Sequence, residues 1–478
     1  MAGVETDGYW VPECVRGYLR AHGYSTRALE DMEPHVREWD SWMRAEGEFY
    51  DYRDTDGFGR LYQVHRRSIM PAMRVCQEWG SLLLDEKTVV ACESPECSRW
   101  LDSFFSSTNF WGRAQETVVR AFGLGTGAFA LWLDTARGVA RVRHYDARMV
   151  VPLSWDAEGV RECAFVTRAY VGGEPVDQLQ MHVLAGGAGA EGAGAAVAGA
   201  GAAGAGVGAG DGDAAEYEIR TACFGADGRE VAVPGVAPVV RTGSALPTFG
   251  IVRPAVPNTR VDFSPYGQSV FADAVDAVQS VDLCYDALVN EIDAGKMRVF
   301  LSDVMFDQRR DGEGRRVPIP FGKGDCTVFR KVMSTEDTIA EFAPALRTEA
   351  QGKAFRLALQ VLGDLCGLGT SYFDLENVGY VRTATEVSSD NSALMRNIRK
   401  NENALQGALA GVSRALLACE RAMGVALPPE GDVRVIYDDS IVQDTAAEKD
   451  QDMKEVSAGL MGADEYREKW YGDGGASE

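Results

Sequence analysis

A chain of 478 residues with 46% hydrophobic content can bury large cores and hold two to four structural units, which excludes wholesale disorder. Its formal charge of −23 argues against a conventional DNA-binding module, because neutralising phosphates requires a basic face. Ten cysteines without a C-x-x-C spacing suggest neither a disulfide framework nor a zinc site, so a reducing cytoplasm fits best.

The first residues, Met1 to Asp7, lack the basic and apolar regions of a secretory signal, and no charge-free apolar stretch is long enough for a membrane helix. Residues 9–46 read as helical, with Trp39, Trp42 and Met43 on one face and Pro34 near a helix start. Tyr50 to Gly59 reads as a turn. Its aspartates fall short of a calcium loop, since Arg53 interrupts them and Tyr62 stands at the twelfth position, where a glutamate is needed.

Helical periods follow over 66–86, Cys97 to Phe105 and Phe110 to Phe122. The glycines of Gly123-Leu124-Gly125-Thr126-Gly127-Ala128 superficially suggest a dinucleotide loop. Such a loop must follow a strand and open a helix, whereas here a helix precedes it and a strand pattern follows, so a helix-to-strand turn is expected. Ala128 to Leu133 and Val139 to Arg143 read as a hairpin, with further strands over Met149 to Pro152, Glu162 to Tyr170 and Gln178 to Leu184. Ala185 to Ala215 is almost wholly glycine and alanine. It cannot bury enough side-chain surface to offset its ordering entropy, so it reads as a flexible excursion from one hairpin whose flanks, Gln180 to Val183 and Tyr217 to Arg220, can pair across it.

From Pro265-Tyr266-Gly267 a helix is predicted, with apolar Phe271, Val275, Val278, Tyr285, Val289 and Ile292 in four-three spacing and Asp282 interrupting the seam. The carboxylates Asp273, Asp276, Asp282, Asp286, Glu291 and Asp293 would make its exposed side acidic. Catalytic pairing is not suggested, since they spread over five turns with no histidine nearby. Arg298 to Lys331 is the one locally basic piece, strand-rich, and carries Arg309, Arg310, Arg315, Arg316 and Lys323, with a hairpin tip at Arg310 to Arg315.

Leu346, Ala350, Ala354, Leu357, Val361 and Leu365 then mark one apolar stripe of a helix that stops at Cys366-Gly367-Leu368-Gly369. Thr370 to Arg382 shows no period and reads as an exposed loop. Thr383-Ala384-Thr385-Glu386 is a capping box opening a helix of about forty residues, ~60 Å long, that reaches Met423. Val433 to Tyr437 reads as a strand and Ala446 to Gly459 and Ala463 to Trp470 as helices.

Three stretches in this order carry a resemblance: Val281-Asp282-Leu283 through Tyr285 to Glu291 with Gly295-Lys296, then Thr383-Ala384-Thr385-Glu386-Val387 with Ser392, then Asp438-Asp439-Ser440-Ile441. Together they resemble the portal proteins of tailed bacteriophages, particularly phages with long flexible tails and Gram-positive hosts. The resemblance implies an α+β subunit with a helical stem, a small clip, a mixed α/β wing and a helical crown. It divides the chain into a wing over 1–262, a stem helix over 263–297 and a clip over 298–332. A second stem helix over 333–369 returns to the wing, followed by a channel loop over 370–382, a long wing helix over 383–425 and a wing or crown segment over 426–478.

The resemblance further implies a homo-oligomeric ring, twelve copies in the virion, at one capsid vertex. Its channel would pass double-stranded DNA during packaging and ejection. The loop residues Tyr372, Phe373, Asp374, Glu376, Asn377, Tyr380 and Arg382 would touch or gate the DNA, the acidic stem would border the channel, and the clip arginines with Lys323 would dock first the terminase motor and then head-completion or tail adaptors. Major capsid and scaffolding proteins would be neighbours, and the protein would belong to the virion, passing through the host cytoplasm during assembly. No enzyme activity, cofactor, metal or membrane is expected.

Two readings of other classes compete. A helical scaffold or adaptor without a channel accounts for the long helices. A hydrolase would use the scattered carboxylates, but His22, His35, His65, His144 and His182 form no constellation, and neither a P-loop nor a nucleophile elbow is present.

Overall fold

Two helices, α1 (Glu13–Ala21) and α2 (Arg27–Arg44), occupy the first region read as helical; they part at Gly23, whose φ of 84° suits glycine alone. Pro34 lies inside α2 and not near its start. The buried stripe Leu29, Met32, Val36, Trp39 and Met43 keeps the helix together through it. The computed structural model describes residues 9–55, 59–85, 87–134, 138–185, 216–295, 345–373 and 392–437, the backbone of five short strands between 298 and 342, and isolated positions from 452 to 466.

Where a turn was expected, the chain forms a hairpin of β1 (Asp51–Thr55) and β2 (Leu61–His65), with Tyr52 opposite Val64. Tyr52, Thr55, Tyr62 and Val64, aromatic or branched, favour this extended form. Then come α3 (Pro71–Leu83), β3 (Val89–Cys92), α4 (Pro95–Ser107) and α5 (Phe110–Leu124). Helix α3 starts later than its period suggests because Pro71 sets its first turn.

Gly125, at φ 83°, ends α5, and β4 (Gly127–Asp134) follows, the helix-to-strand turn that the glycines suggested. A Cβ on Gly125 would stand 2.5 Å from the Gly267 carbonyl oxygen, so the two backbones meet only because both residues lack side chains. Next are β5 (Val139–Asp146), β6 (Val150–Asp156), β7 (Gly159–Val171), β8 (Glu174–Ala185), β9 (Glu216–Phe224), β10 (Val239–Arg241) and β11 (Phe249–Val252). They build two antiparallel sheets, ordered β10-β9-β8-β7-β6 and β11-β4-β5. Strands β8 and β9 pair from Asp177↔Phe224 to Ala185↔Glu216, across the glycine-alanine tract as its flanks predicted. A small core of Tyr145, Cys163, Phe165, Tyr217 and Phe249 is enclosed within this β region.

Residues 264–271 do not begin a helix. Tyr266 donates its hydroxyl to the Val150 carbonyl at 2.7 Å and Gly267 N–H donates to Thr126 Oγ1 at 3.0 Å, so the segment is tied to the sheets and α6 (Val275–Ala294) starts only after a short 3-10 turn. Then β12 (Arg298–Ser302) pairs in parallel with β15 (Val328–Lys331) and antiparallel with β16 (Ile339–Phe342), while β13 (Gln308–Arg310) and β14 (Arg316–Pro318) form a hairpin.

Helix α7 (Thr348–Leu365) follows, then α8 (Ser392–Ala422) and β17 (Val433–Ile436), which pairs with β3. Helix α8 packs on β11, β4 and β17 and buries Leu405, Leu409, Val412, Leu416 and Cys419 in the main core, which also takes in α1 to α5. The protein is α+β.

Candidate functional site: a helical stem and its joint

Helices α6 and α7 hold the best-defined candidate site. Twenty and eighteen residues make them ~30 and ~27 Å long. They run antiparallel: a Cβ on Gly295 would lie beside Leu346, Glu291 bonds Arg347 and Gln351, and Tyr285 faces Phe355. The five strands β12–β16 are inserted between them in sequence.

The six stem carboxylates do not form one solvated face. Asp282 is fully buried and corrects that expectation. Its carboxylate accepts from Tyr50 OH at 2.7 Å, Ser68 Oγ at 2.7 Å and Ile69 N–H at 3.0 Å. Burial pushes its pKa up against those donors. The Tyr50 hydroxyl is pushed up in turn, first by burial and then by its bond to Asp282. An aspartate in the middle of an apolar seam thus ties α6 to the segments flanking β1 and β2.

The neighbouring acids are mostly paired. Asp286 accepts from Arg67 N–H at 3.3 Å and from Asn290 Nδ2 at 2.9 Å, and Asp273 accepts from Gln268 Nε2 at 2.7 Å with Arg260 3.3 Å away. Glu291 accepts from Arg347 Nε at 2.9 Å and Nη2 at 2.7 Å, and from the Arg347 backbone N–H at 2.9 Å. That clamp across the far end of the stem holds the Glu291 carboxyl down to about 2. Asp276 and Asp293 stay exposed.

The apolar stripe of α7 that the spacing marks does not pack inward. Leu357, Val361 and Leu365 are exposed, while Leu359, Leu362 and Gly363 face the interior. The helix therefore has two apolar faces, and a single chain covers only one. Leu283 and Ile292 on α6 are exposed as well.

Of the loop residues, Tyr372 and Phe373 are half-buried against the main core, with ring centroids 5.2 Å apart, and Tyr372 OH donates to Glu78 Oε2 at 2.6 Å. Through this bond Tyr372 ties the segment after α7 to α3. Asp374, Glu376, Asn377, Tyr380 and Arg382 lie outside the described residues, as does the capping box at Thr383. Of the residues expected to form a clip, Arg309 and Arg310 fall on β13 and Arg316 on β14, with Arg310 opposite Arg316; Arg315 and Lys323 lie outside the described residues.

Tyr50, Arg67, Ser68 and Arg347 carry the joint and went unnoticed in the sequence. The signal for them is Asp282 itself, since a carboxylate inside a seam requires donors from elsewhere. Among the described residues no group of three His, Cys, Asp or Glu could hold a metal ion, and no described helix is long and apolar enough to cross a membrane.

No protein-family model matches the chain, and no curated protein does. Solved structures do align with it, among them two that cover most of the chain. One is the neck of a native gene transfer agent particle computed with C12 symmetry, at 12% identity and a TM-score of 0.38, covering 83% of this chain and 88% of that one. The other is the virion of a native gene transfer agent particle, at 10% identity and a TM-score of 0.37, covering 93% and 98%. At TM-scores below 0.5 neither likeness bears on what this chain does.

Proposed function

We propose that the chain is the subunit of a phage portal, a ring at one capsid vertex through which double-stranded DNA is packaged and ejected. One observation carries the reading: two antiparallel helices, α6 and α7, flank an inserted module of short strands. This is the order of stem, clip and stem that the sequence resemblance implies. The uncovered second face of α7 gives such a subunit a reason to assemble, because exposed aliphatic stripes mark contacts with other chains.

In this reading β12–β16 present the docking end to the terminase and later to head-completion or tail adaptors. Asp374, Glu376, Asn377, Tyr380 and Arg382 meet the duplex, while Tyr372 and Phe373 hold the loop's root. Capsid and scaffolding proteins surround the wing in the virion. The lumen repels DNA less through α6, whose acids are mostly paired, than through the charge of −23 that every copy brings. No chemistry is assigned to the chain itself; nucleotide hydrolysis belongs to the motor.

Light scattering on the purified protein, with particle images viewed down the axis, tests the proposal. Closed rings of about a dozen copies with an open centre are expected. A monomer at every concentration overturns it.

A further inference from the structure

Hairpin β1–β2 is exposed on both faces, with only Tyr52 and Val64 partly covered and Leu61 69% exposed. A two-stranded ribbon is marginal in water unless one face packs on something. Its root, by contrast, is fixed. Tyr50 is buried on Asp282, Arg66 N–H donates to the Tyr50 carbonyl at 2.7 Å, the Arg66 guanidinium lies 4.0 Å over the Phe49 ring, and Arg67 bonds Asp286. The ribbon is thus an arm with a fixed root, mounted beside α6.

A closed ring needs two different surfaces on each copy, one meeting the other in the next copy. The arm and the outer face of α7 are such a pair. Pairing of Arg53 with Gln63 and Thr55 with Leu61 puts Arg53 and Leu61 on one face of the ribbon. On α7, Leu357, Val361 and Leu365 form a stripe, and Asp364 lies on the same side at helical spacing. Arg53 and Asp364 are both exposed, and neither has an ion pair among the described residues.

We infer that the β1–β2 arm of one copy closes over the outer face of α7 in the next, seating Leu61 on the Leu357-Val361-Leu365 stripe and pairing Arg53 with Asp364. The occupant is a second copy of this chain, chosen by complementary charge and by the two-surface requirement of a ring. The inference rests on the ring reading and names a contact that builds it.

Exchanging the charges tests this contact in the full chain. Arg53→Asp and Asp364→Arg alter exposed side chains outside the core, so circular dichroism melting should match the unchanged protein. Light scattering across a dilution series should show each single variant assembling about tenfold more weakly, with the double variant restored to within about threefold. Single variants that assemble like the unchanged protein, or a double variant no better than the singles, overturn the inference and leave the ring standing. An unchanged protein that never assembles removes the ring, and this contact with it.

Discussion

Asp282 shows how one residue can hold two elements in place. Replacing it by alanine leaves Tyr50 OH, Ser68 Oγ and Ile69 N–H without their acceptor inside the joint. A loss of about 2–4 kcal/mol is expected, read as a lower denaturant midpoint. Asparagine should recover part of it, since its oxygen still accepts. A change below ~0.5 kcal/mol for alanine would show that the joint carries no weight. His182 gives a prediction of a different kind. It is fully buried beside Phe165 and Phe249, its Nδ1 2.7 Å from Thr248 Oγ1, and burial pushes its pKa from 6.5 to about 3. Below pH 6.5 the unfolded chain takes up a proton that the folded chain refuses. Stability should therefore fall as pH drops from 6.5 toward 3, by about 2 kcal/mol at pH 5 from this group alone. Unfolding curves of His182→Asn should be shallower over that range; identical slopes would remove His182 as the cause.

Elements with one strong period were legible. Helices α4 and α5, the β4–β5 hairpin and the pairing of β8 with β9 follow directly from apolar spacing and flanking turns. A pattern reports apolar residues without reporting what covers them. The spacing of Leu357, Val361 and Leu365 marks an apolar stripe without saying that Leu359 and Leu362 take the inner face. Hairpin β1–β2 was hidden because its aspartates resemble a turn, and the start of α6 because Tyr266 and Gly267 are claimed by the sheets. The glycine-alanine tract offers a test at this scale. Strands β8 and β9 pair through nine cross-strand positions, from Asp177↔Phe224 to Ala185↔Glu216, which fix the register without help from the tract. Replacing 186–215 by Asn-Gly, a two-residue hairpin turn, should leave the melting temperature within about 2 °C. A large drop would show that the tract packs on the fold.

For the whole molecule, the order of helix, strand module and helix was readable because periodicity and local charge change together near Gly295 and again near Leu346. The candidate site was legible only in part. Its carboxylates were found, but their burial and pairing depend on Tyr50, Arg67 and Arg347, which stand far away in sequence. The exposed stripe of α7 was the least legible feature, since a side chain left uncovered looks the same in sequence as one covered by its own chain.

The Ala185↔Glu216 pair has a practical corollary. Cross-strand partners stand about 5 Å apart, so the chain leaves and re-enters the sheet at almost one point. A guest domain whose own termini lie close together can be grafted there without spreading the host strands. Were the host to close into its annulus, each graft would be repeated around a common axis, turning the position into a site for multivalent display.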